Sequence, residues 1–221
     1  MSTELKKRLY TSVILFFLLM MMYFYSYVLI IGVILISIIT WIEFYALVSK
    51  IYIKNKIKDK LLRFIYKTLS LLYLFILTFI ILYVEAIRPD LKIIIIYSLL
   101  VSILSDLGGL FFGKIFKGPK LIKISPKKTI SGSIGAFASS ILLIPFFNVF
   151  LENYGFTLLI VITLLISLTS QSGDLFISFV KRKAKVKNTS DLLPGHGGFL
   201  DRIDGIIFAI PVGFLLFKIF N

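Results

Sequence analysis

The sequence predicts an all-α membrane protein, a polytopic bundle of about seven transmembrane helices. Hydrophobic residues make up 58% of the 221-residue chain, they occur in long runs, and the net charge is +14. A soluble domain is typically about 45–50% apolar even when glycine is counted. A helix needs about 20 apolar residues to cross ~30 Å of hydrocarbon, and the runs reach that length. We therefore expect a single integral membrane domain over residues 1–221.

The polar breaks between apolar runs mark the individual spans. Residues 9–48 are too long for one helix and suit a hairpin that turns near Tyr25 and Ser26, and a basic loop follows at 49–63. The remaining spans are expected at 64–87, 91–107, 130–151, 156–173 and 203–220, with polar loops at 108–129 and 174–202. This division gives seven spans, and six to eight fit the pattern. Residues 1–90 then hold N-terminal helices, and 91–221 hold the helices and loops of the candidate site.

The basic residues predict the orientation. With a cytoplasmic N-terminus on an uncleaved first helix, only Arg88, Lys92 and Lys218 among the lysines and arginines fall outside cytoplasmic segments. Cytoplasmic loops are the ones enriched in Lys and Arg, so the charges support this topology. The same charges suit anionic lipid head groups or nucleotide phosphates. We expect a multi-pass protein of the cell (inner) membrane with no nucleic-acid partner.

Four aspartates lie at the expected cytoplasmic ends of apolar segments, namely Asp106, Asp174, Asp201 and Asp204. Cysteine is absent and there is one histidine, so thiolate and His-rich metal sites are excluded. Any metal would be a hard cation on oxygen ligands, and Mg²⁺ is expected. Asp201 and Asp204 would share a helix face, where like charges repel unless a cation lies between them. The alternative, N-capping by Asp201 with Arg202 neutralising it, explains one aspartate only.

Glu43 lies inside the second predicted span. A charged group at that depth costs about 2.5–3.5 kcal/mol on insertion scales. We therefore expect Glu43 to face the interior of the bundle and to have a partner. The sequence leaves open whether it forms a structural ion pair or acts directly in the site.

Two loops combine glycine with basic residues. The stretch "PGHGGF", Pro194 to Phe199, offers backbone that can approach a phosphate ahead of a helix start, although such residues are also common in turns. The stretch "ISPKKTISGSIGA" places Lys127 and Lys128 before another helix start. These lysines suit phosphate charge beside a metal, or serve only as a positive flank of the span.

Together these motifs resemble the phosphatidate cytidylyltransferase family, also called CDP-diacylglycerol synthases. That family's signature is Ser-x-apolar-Lys-Arg, four residues, Lys-Asp, then Pro-x-His-Gly-Gly-apolar-x-Asp-Arg-apolar-Asp. Residues 178–204 read "SFVKRKAKVKNTSDLLPGHGGFLDRID", with Asn188 where the family has Asp. "SQSGDLFISFVKR", "SDLGGLFFGK" and "ISPKKTISG" are also similar, the last with Ser131 in place of Glu. The motifs cover about 105–135 and 171–205.

The resemblance implies transfer of the cytidylyl group of CTP to phosphatidate, giving CDP-diacylglycerol and pyrophosphate. It implies Mg²⁺, with a second cation such as K⁺ as a further option, and CTP, phosphatidate and the bilayer as partners. A homodimer is a family-based expectation. The implied catalytic residues are Asp174, Asp201, Asp204, Lys181 and Arg182; the substrate-binding ones are Lys127, Lys128, Ser178, His196, Gly197, Gly198 and Arg202; the metal ligands are Asp174, Asp201, Asp204 and Asp106. Gly195 is expected to help the backbone close on the nucleotide.

Three other functions remain open at the level of the sequence. A CTP-dependent polyprenol kinase would share the basic loops but would need a base to activate its alcohol. A transporter would place its acids near the bilayer midplane, whereas these aspartates are predicted at the boundary. An inactive homologue is the third alternative, because Asn188 and Ser131 replace acids of the family pattern.

Overall fold

The computed structural model describes residues 3–53, 56–122, 125–195 and 197–220, with side chains from residue 9 onward except those of Pro126 and Lys127. Over these described ranges the architecture is all-α apart from one small antiparallel sheet. The α-helices are α1 (Thr3–Phe24), α2 (Ser26–Ile51), α3 (Ile57–Ala86), α4 (Lys92–Phe116), α5 (Ile130–Ile141), α6 (Ile144–Phe147), α7 (Phe156–Lys183), α8 (Leu200–Ile203) and α9 (Ile206–Ile219). The strands are β1 (Lys120–Ile122) and β2 (Ser125–Thr129), and short 3-10 turns occupy Pro89–Leu91 and Glu152–Tyr154.

The apolar helices confirm the predicted membrane-spanning class. Within the described ranges, five helical stretches are long and apolar enough to cross a bilayer: α2, α3, α4 with the turn before it, α5 with α6, and α7. Two shorter apolar helices, Leu9–Phe24 and Ile206–Ile219, lie near the chain ends. The predicted interruption near Tyr25 is confirmed, because Tyr25 alone separates α1 from α2 and has an extended backbone. The cytoplasmic placement of the N-terminus stays a prediction.

Two of the predicted spans end too early. α4 continues to Phe116 instead of ending at 107, and α7 continues to Lys183 instead of ending at 173. Asp106 and Asp174 therefore lie inside helices and not at their ends. Hydropathy marks where the apolar run stops, whereas backbone hydrogen bonds continue through the glycine, serine and lysine residues that follow.

The predicted span at 130–151 is interrupted. α5 ends at Ile141, and α6 begins at Ile144 with a proline in its first turn. Proline lacks a backbone N–H and is well tolerated only at the start of a helix, so it favours the break at this point.

The chain divides into two compact units. The first comprises Met1–Ile87 and Val180–Arg202, and in it α1 packs against α2 and α2 packs against α3. The second comprises Arg88–Phe179 and Ile203–Asn221, and in it α4 packs against both α5 and α9. The predicted single domain and its functional division near residue 90 stay predictions.

Hydroxyl groups join α4 to α7 inside the second unit. Each contact between membrane helices of this kind is worth about 0.6 kcal/mol on average, so the set fixes the alignment of the helices more than it stabilises them. The pairs are Tyr97 with Thr163 at 2.5 Å, Ser102 with Ser170 at 2.7 Å, and Ser105 with Ser167 at 2.9 Å. They set the rotation of α4 and α7 about their axes, and thereby the directions of the aspartates that these helices carry.

Glycines allow α4 and α5 to approach closely. A Cβ added at Gly108 would lie 2.2 Å from Ser139 Oγ and 2.7 Å from the Gly135 carbonyl oxygen. The neighbouring Gly109 has ordinary space, because its nearest contact would be the Gly132 carbonyl at 3.6 Å. The two adjacent glycines therefore meet different constraints on the same helix.

We predict that Gly108→Ala destabilises the protein by about 1–3 kcal/mol, because the added methyl group must displace helix backbone. Gly109→Ala is the matched control. It should leave stability unchanged or raise it by up to ~1 kcal/mol, since alanine is the better helix former. Thermal unfolding in detergent checks both variants, and equal midpoints for the two would contradict this account of the α4–α5 packing.

Candidate functional site

Glu43 of α2 holds the loop that follows α7. Its Oε1 accepts hydrogen bonds from Ser190 Oγ at 2.5 Å and from the Phe199 amide at 2.9 Å. Its Oε2 accepts from Thr189 Oγ1 and from the Leu200 amide, both at 2.8 Å. The buried carboxyl group therefore binds both ends of the segment between residues 189 and 200.

The energies explain why an acid is tolerated in this apolar helix. Inserting a charged residue into a membrane span costs about 2.5–3.5 kcal/mol. A hydrogen bond to a charged group contributes about 1.5–3 kcal/mol, so the four bonds to Glu43 are sufficient to offset the cost. The expected partner exists, and within the described residues it is a set of hydroxyl and amide donors.

Asp201 of α8 organises the same loop from the other side. Lys181 Nζ donates to its Oδ1 at 2.5 Å. Its Oδ2 accepts from the amides of Thr189 at 2.8 Å and Gly198 at 3.1 Å. The Thr189 hydroxyl lies 3.1 Å from Oδ2 while it also contacts Glu43, so Thr189 links the two acids.

The surroundings of Asp201 favour its charged form. Burial acts to raise its pKa, but the hydrogen bonds from Lys181 and from the amides of Thr189 and Gly198 outweigh that effect and hold the pKa below the usual value. Lys181 and Asp201 are both largely buried, with 14% and 7% of their side chains exposed. The pair is therefore shielded from screening by salt.

The glycine loop is folded around these two acids. Leu193 and Gly197 form an isolated antiparallel bridge, and Gly197 has a φ of +84° that other residues rarely adopt. A Cβ at Gly198 would lie 1.8 Å from Thr189 Oγ1 and 2.6 Å from Glu43 Oε2. The Gly198 amide donates to Asp201, so the structure shows a structural use for this predicted phosphate-binding residue.

A second set of charges lies within the other unit. Lys128 of β2 forms an ion pair with Asp174 of α7, and Ser178 Oγ donates to Asp174 Oδ1 at 3.4 Å. Asp106 of α4 is close enough to interact electrostatically with both Asp174 and Lys128. Two acids and one lysine that are distant in the sequence are thus brought together by α4, α7 and the small sheet.

Asp204 is buried just after α8, and its Oδ1 accepts a hydrogen bond from the Gly205 amide at 3.0 Å. Its carbonyl oxygen lies 2.8 Å from where a Cβ on Gly173 would be. The backbone at Asp204 therefore passes against the residue that precedes Asp174, and only glycine leaves room for it there.

The donor chemistry of the second unit fits a hard cation. Asp106 and Asp174 supply carboxylate oxygens, which are the ligands that Mg²⁺ prefers, and Lys128 shows that this position already accommodates a positive charge. Within the described ranges, no group of three or more His, Cys, Asp or Glu side chains is arranged to hold a metal. The predicted set of four aspartates therefore stays a prediction, with Asp106 and Asp174 as its best-placed members.

The remaining predicted residues have varied surroundings. His196 and the side chain of Lys127 lie outside the described part of the chain. Arg182 and Arg202 are exposed, at the end of α7 and in α8 respectively. Gly195 has a φ of +77°, which is typical of a turn.

The two departures from the family pattern have different local roles. Asn188 is exposed, and its Cγ would lie 3.2 Å from a Cβ on Gly197, so it lies beside the glycine loop. Ser131 Oγ accepts a hydrogen bond from the Gly118 amide at 3.2 Å and lies 3.1 Å from Thr129 Oγ1. Ser131 therefore holds the turn between α4 and β1.

Sequence reasoning missed Thr189 and Ser190. Their hydroxyls connect the loop to Glu43, and Thr189 also contacts Asp201. The available signal was a run of small polar residues, "NTS", directly before the glycine loop. Such residues are common in any loop, so the pattern alone does not identify their partner.

Comparison with known proteins identifies the family of the sequence. A family model described as the cytidylyltransferase family matches residues 1–220. The chain belongs to the cytidylyltransferase family. The motif-based resemblance is thereby confirmed at the level of the family.

Several relatives of this chain are named phosphatidate cytidylyltransferase. That of Rickettsia typhi is 47% identical over 112 residues, covering 46% of this chain and 48% of the relative. That of Staphylococcus haemolyticus is 40% identical over 133 residues, covering 59% and 51%. That of Staphylococcus aureus is 40% identical over 121 residues, covering 53% and 46%. The chain spans about half the length of the curated relatives it matches.

We predict that Glu43→Gln loosens the loop of residues 189–200, because the new NH₂ group would face hydrogen-bond donors that need an acceptor. Each unsatisfied buried amide costs about 1–3 kcal/mol. Hydrogen exchange at the amides of Phe199 and Leu200 should therefore accelerate at least ~5-fold. Glu85→Gln is the matched control, since its remaining oxygen can still accept the bond from Ser26. Unchanged exchange in Glu43→Gln would refute the anchoring role.

We predict a pH-dependent contribution of Asp201 to stability. Because its folded-state pKa is lowered, the contribution is present above the usual aspartate pKa of about 3.9 and is lost as pH falls through the folded-state value. Asp201→Asn should lower the unfolding midpoint at pH 7 by several degrees, since 1 kcal/mol corresponds to ~2–4 °C in a chain of this size.

The difference in unfolding midpoint between wild type and Asp201→Asn should decrease below pH ~4. Asp191→Asn, which changes an exposed carboxylate of the same loop, is the control and should show little difference at either pH. Thermal unfolding followed from pH 7 to pH 3 measures both effects, and a constant gap over that range would exclude the charge-dependent role of Asp201.

Proposed function

We propose that the chain transfers the cytidylyl group of CTP to phosphatidate, giving CDP-diacylglycerol and pyrophosphate. A phosphate oxygen of phosphatidate forms a bond to the α-phosphorus of CTP, and the bond between the α- and β-phosphates breaks. Membership of the cytidylyltransferase family and the names of the relatives support this assignment. The observation that carries it in the structure is the group formed by Lys128, Asp174 and Asp106.

The chemistry of this group suits a reaction between two anions. The phosphatidate phosphate and the CTP triphosphate repel each other, so catalysis depends on neutralising charge and aligning the reacting atoms. Lys128 supplies a positive charge that is already positioned by Asp174. Asp106 and Asp174 would hold Mg²⁺, which when bound draws electron density from the nucleotide phosphates.

No residue needs to act as a general base. The attacking oxygen belongs to a phosphate that is already ionised at neutral pH, so no alcohol proton has to be removed. Lys128 therefore binds and orients phosphate instead of moving a proton. This requirement separates the proposed reaction from a polyprenol kinase, whose alcohol substrate must lose a proton.

The loop of the first unit has a complementary role. Lys181 is held by Asp201, and the exposed Arg182 follows it on α7. In our proposal these cations bind phosphate oxygens, while Asp201 positions Lys181 and the glycine loop. Asp201 already accepts several hydrogen bonds, which favours this positioning role over direct binding of a metal.

The lipid substrate fits a membrane location. Five apolar helical stretches within the described residues make this a multi-pass membrane protein. We propose that it resides in the cell (inner) membrane with its site facing the cytoplasm, where CTP is made. The clustering of basic residues in the predicted cytoplasmic loops supports that orientation.

We predict that purified protein converts labelled CTP and phosphatidate to CDP-diacylglycerol in the presence of Mg²⁺. Asp174→Asn and Lys128→Gln should each lower kcat/KM at least ~100-fold, as for removal of one charge-stabilising group in other enzymes. Asp90→Asn, which alters an exposed acid paired with Arg88 in the same unit, should retain activity.

Three outcomes distinguish the alternatives. Consumption of CTP with a polyprenol but not with phosphatidate would establish the kinase. No consumption with either lipid would eliminate both enzymes and leave the transporter or the inactive homologue. Activity that survives Asp174→Asn unchanged would contradict the assigned residues while keeping the reaction.

A further inference from the structure

Two basic residues of α3 face two aromatic residues of α2. Lys67 Nζ lies 3.0 Å from the centre of the Tyr45 ring. Trp41 Nε1 donates a hydrogen bond to the Lys67 carbonyl oxygen at 3.2 Å. Arg63, one turn before Lys67 on α3, is near enough to Tyr45 to act on it electrostatically. These four residues form what we call the α2–α3 cation cluster.

The cluster contains a buried donor that lacks an acceptor. Among the buried side-chain nitrogen and oxygen atoms of the described residues, Nε of Arg63 is the one without a hydrogen-bond partner. Leaving a buried donor unpaired is unfavourable, and more so for a charged group. A guanidinium group presents its N–H bonds as a planar fork that matches the oxygens of a phosphate. An anion from outside the chain would supply the missing acceptor if a movement of the Arg63 side chain uncovered Nε.

The cluster lies where lipid head groups are expected. α3 has 30 residues, whereas about 20 cross the hydrocarbon, so its first turns extend to the membrane surface. Tyr52 and Tyr66 stack there, with ring centres 5.7 Å apart, and tyrosine and tryptophan are enriched at this level of a bilayer. Tyr45 is 40% exposed, so the cluster is open to its surroundings.

We propose that the α2–α3 cation cluster binds the phosphate of an anionic phospholipid from the surrounding bilayer. Arg63 supplies the fork of N–H donors, and Lys67 supplies a second positive charge. Tyr45 holds the Lys67 ammonium group over its ring, and Trp41 fixes the backbone at Lys67. The site is built entirely from α2 and α3, and it is independent of the proposed cytidylyl transfer.

The position of Trp41 provides a direct test, because it is the single tryptophan of the chain. The full-length protein is reconstituted in phosphatidylcholine vesicles containing either brominated phosphatidylglycerol or an equal amount of brominated phosphatidylcholine. Bromine quenches tryptophan fluorescence at short range, so it reports which lipid occupies the cluster. We expect half-maximal quenching at a several-fold lower fraction of the brominated anionic lipid.

Two double variants separate the cluster from the general basic charge of α3. Arg63→Gln with Lys67→Gln should reduce the preference at least roughly fivefold, because each basic residue near an anionic surface strengthens lipid binding by about that factor. Lys58→Gln with Lys60→Gln removes the same charge from exposed positions of the same helix. This variant should retain most of the preference for the anionic lipid.

The results that overturn the proposal are equally specific. Equal quenching of wild type by the two brominated lipids would exclude an anionic-lipid site at Trp41. Equal loss of preference in both double variants would show that diffuse charge attracts the lipid and that the cluster does not bind it. Abolition of the preference by added inorganic phosphate would assign the cluster to a soluble anion instead of a lipid.

Discussion

The hydrogen bonds to Glu43 are the constraint on which the loop after α7 depends. One buried side chain of α2 accepts hydrogen bonds from two hydroxyl groups and two backbone amides of a segment 146 to 157 residues away in the sequence. Without this acceptor, the amides of Phe199 and Leu200 would be buried without partners. The same hydrogen bonds position Asp201. Its helix, α8, begins at Leu200, whose amide is bound by Glu43, and the Thr189 hydroxyl contacts both Glu43 and Asp201.

Close backbone approach is the second recurring feature of the structure. Glycine permits it between α4 and α5 at Gly108, beside Asp174 at Gly173, and against Glu43 at Gly198. In each case the group that would collide with a Cβ belongs to a neighbouring segment and not to the same turn of helix. The glycines therefore determine how near the acid-bearing segments can come to their neighbours. This packing role does not depend on a bound ligand.

The sequence was sufficient for the fold class but not for the ends of the helices. Long apolar runs predicted the membrane helices and the helix break near Tyr25, because burial in hydrocarbon dominates the energy of such segments. Hydropathy placed the ends of α4 and α7 about ten residues too early, since amphipathic turns near the surface keep their backbone hydrogen bonds. The motifs predicted roles for Lys128, Asp174 and Asp201, but no local pattern revealed that Glu43 is the partner of Thr189 and Ser190. That contact depends on packing between distant segments.

Adjacent glycines in the loop are required for unrelated reasons. At Gly197 the backbone conformation requires glycine, because a positive φ is unfavourable for a residue with an L-configured side chain. At Gly198 the limit is volume, because three oxygen atoms of Thr189 and Glu43 occupy the space of a Cβ whatever the backbone angle. A mirror-image alanine would satisfy the backbone angle at Gly197, but the same reasoning does not extend to its neighbour. The dipeptide thus encodes two separate constraints that look identical in the one-letter sequence.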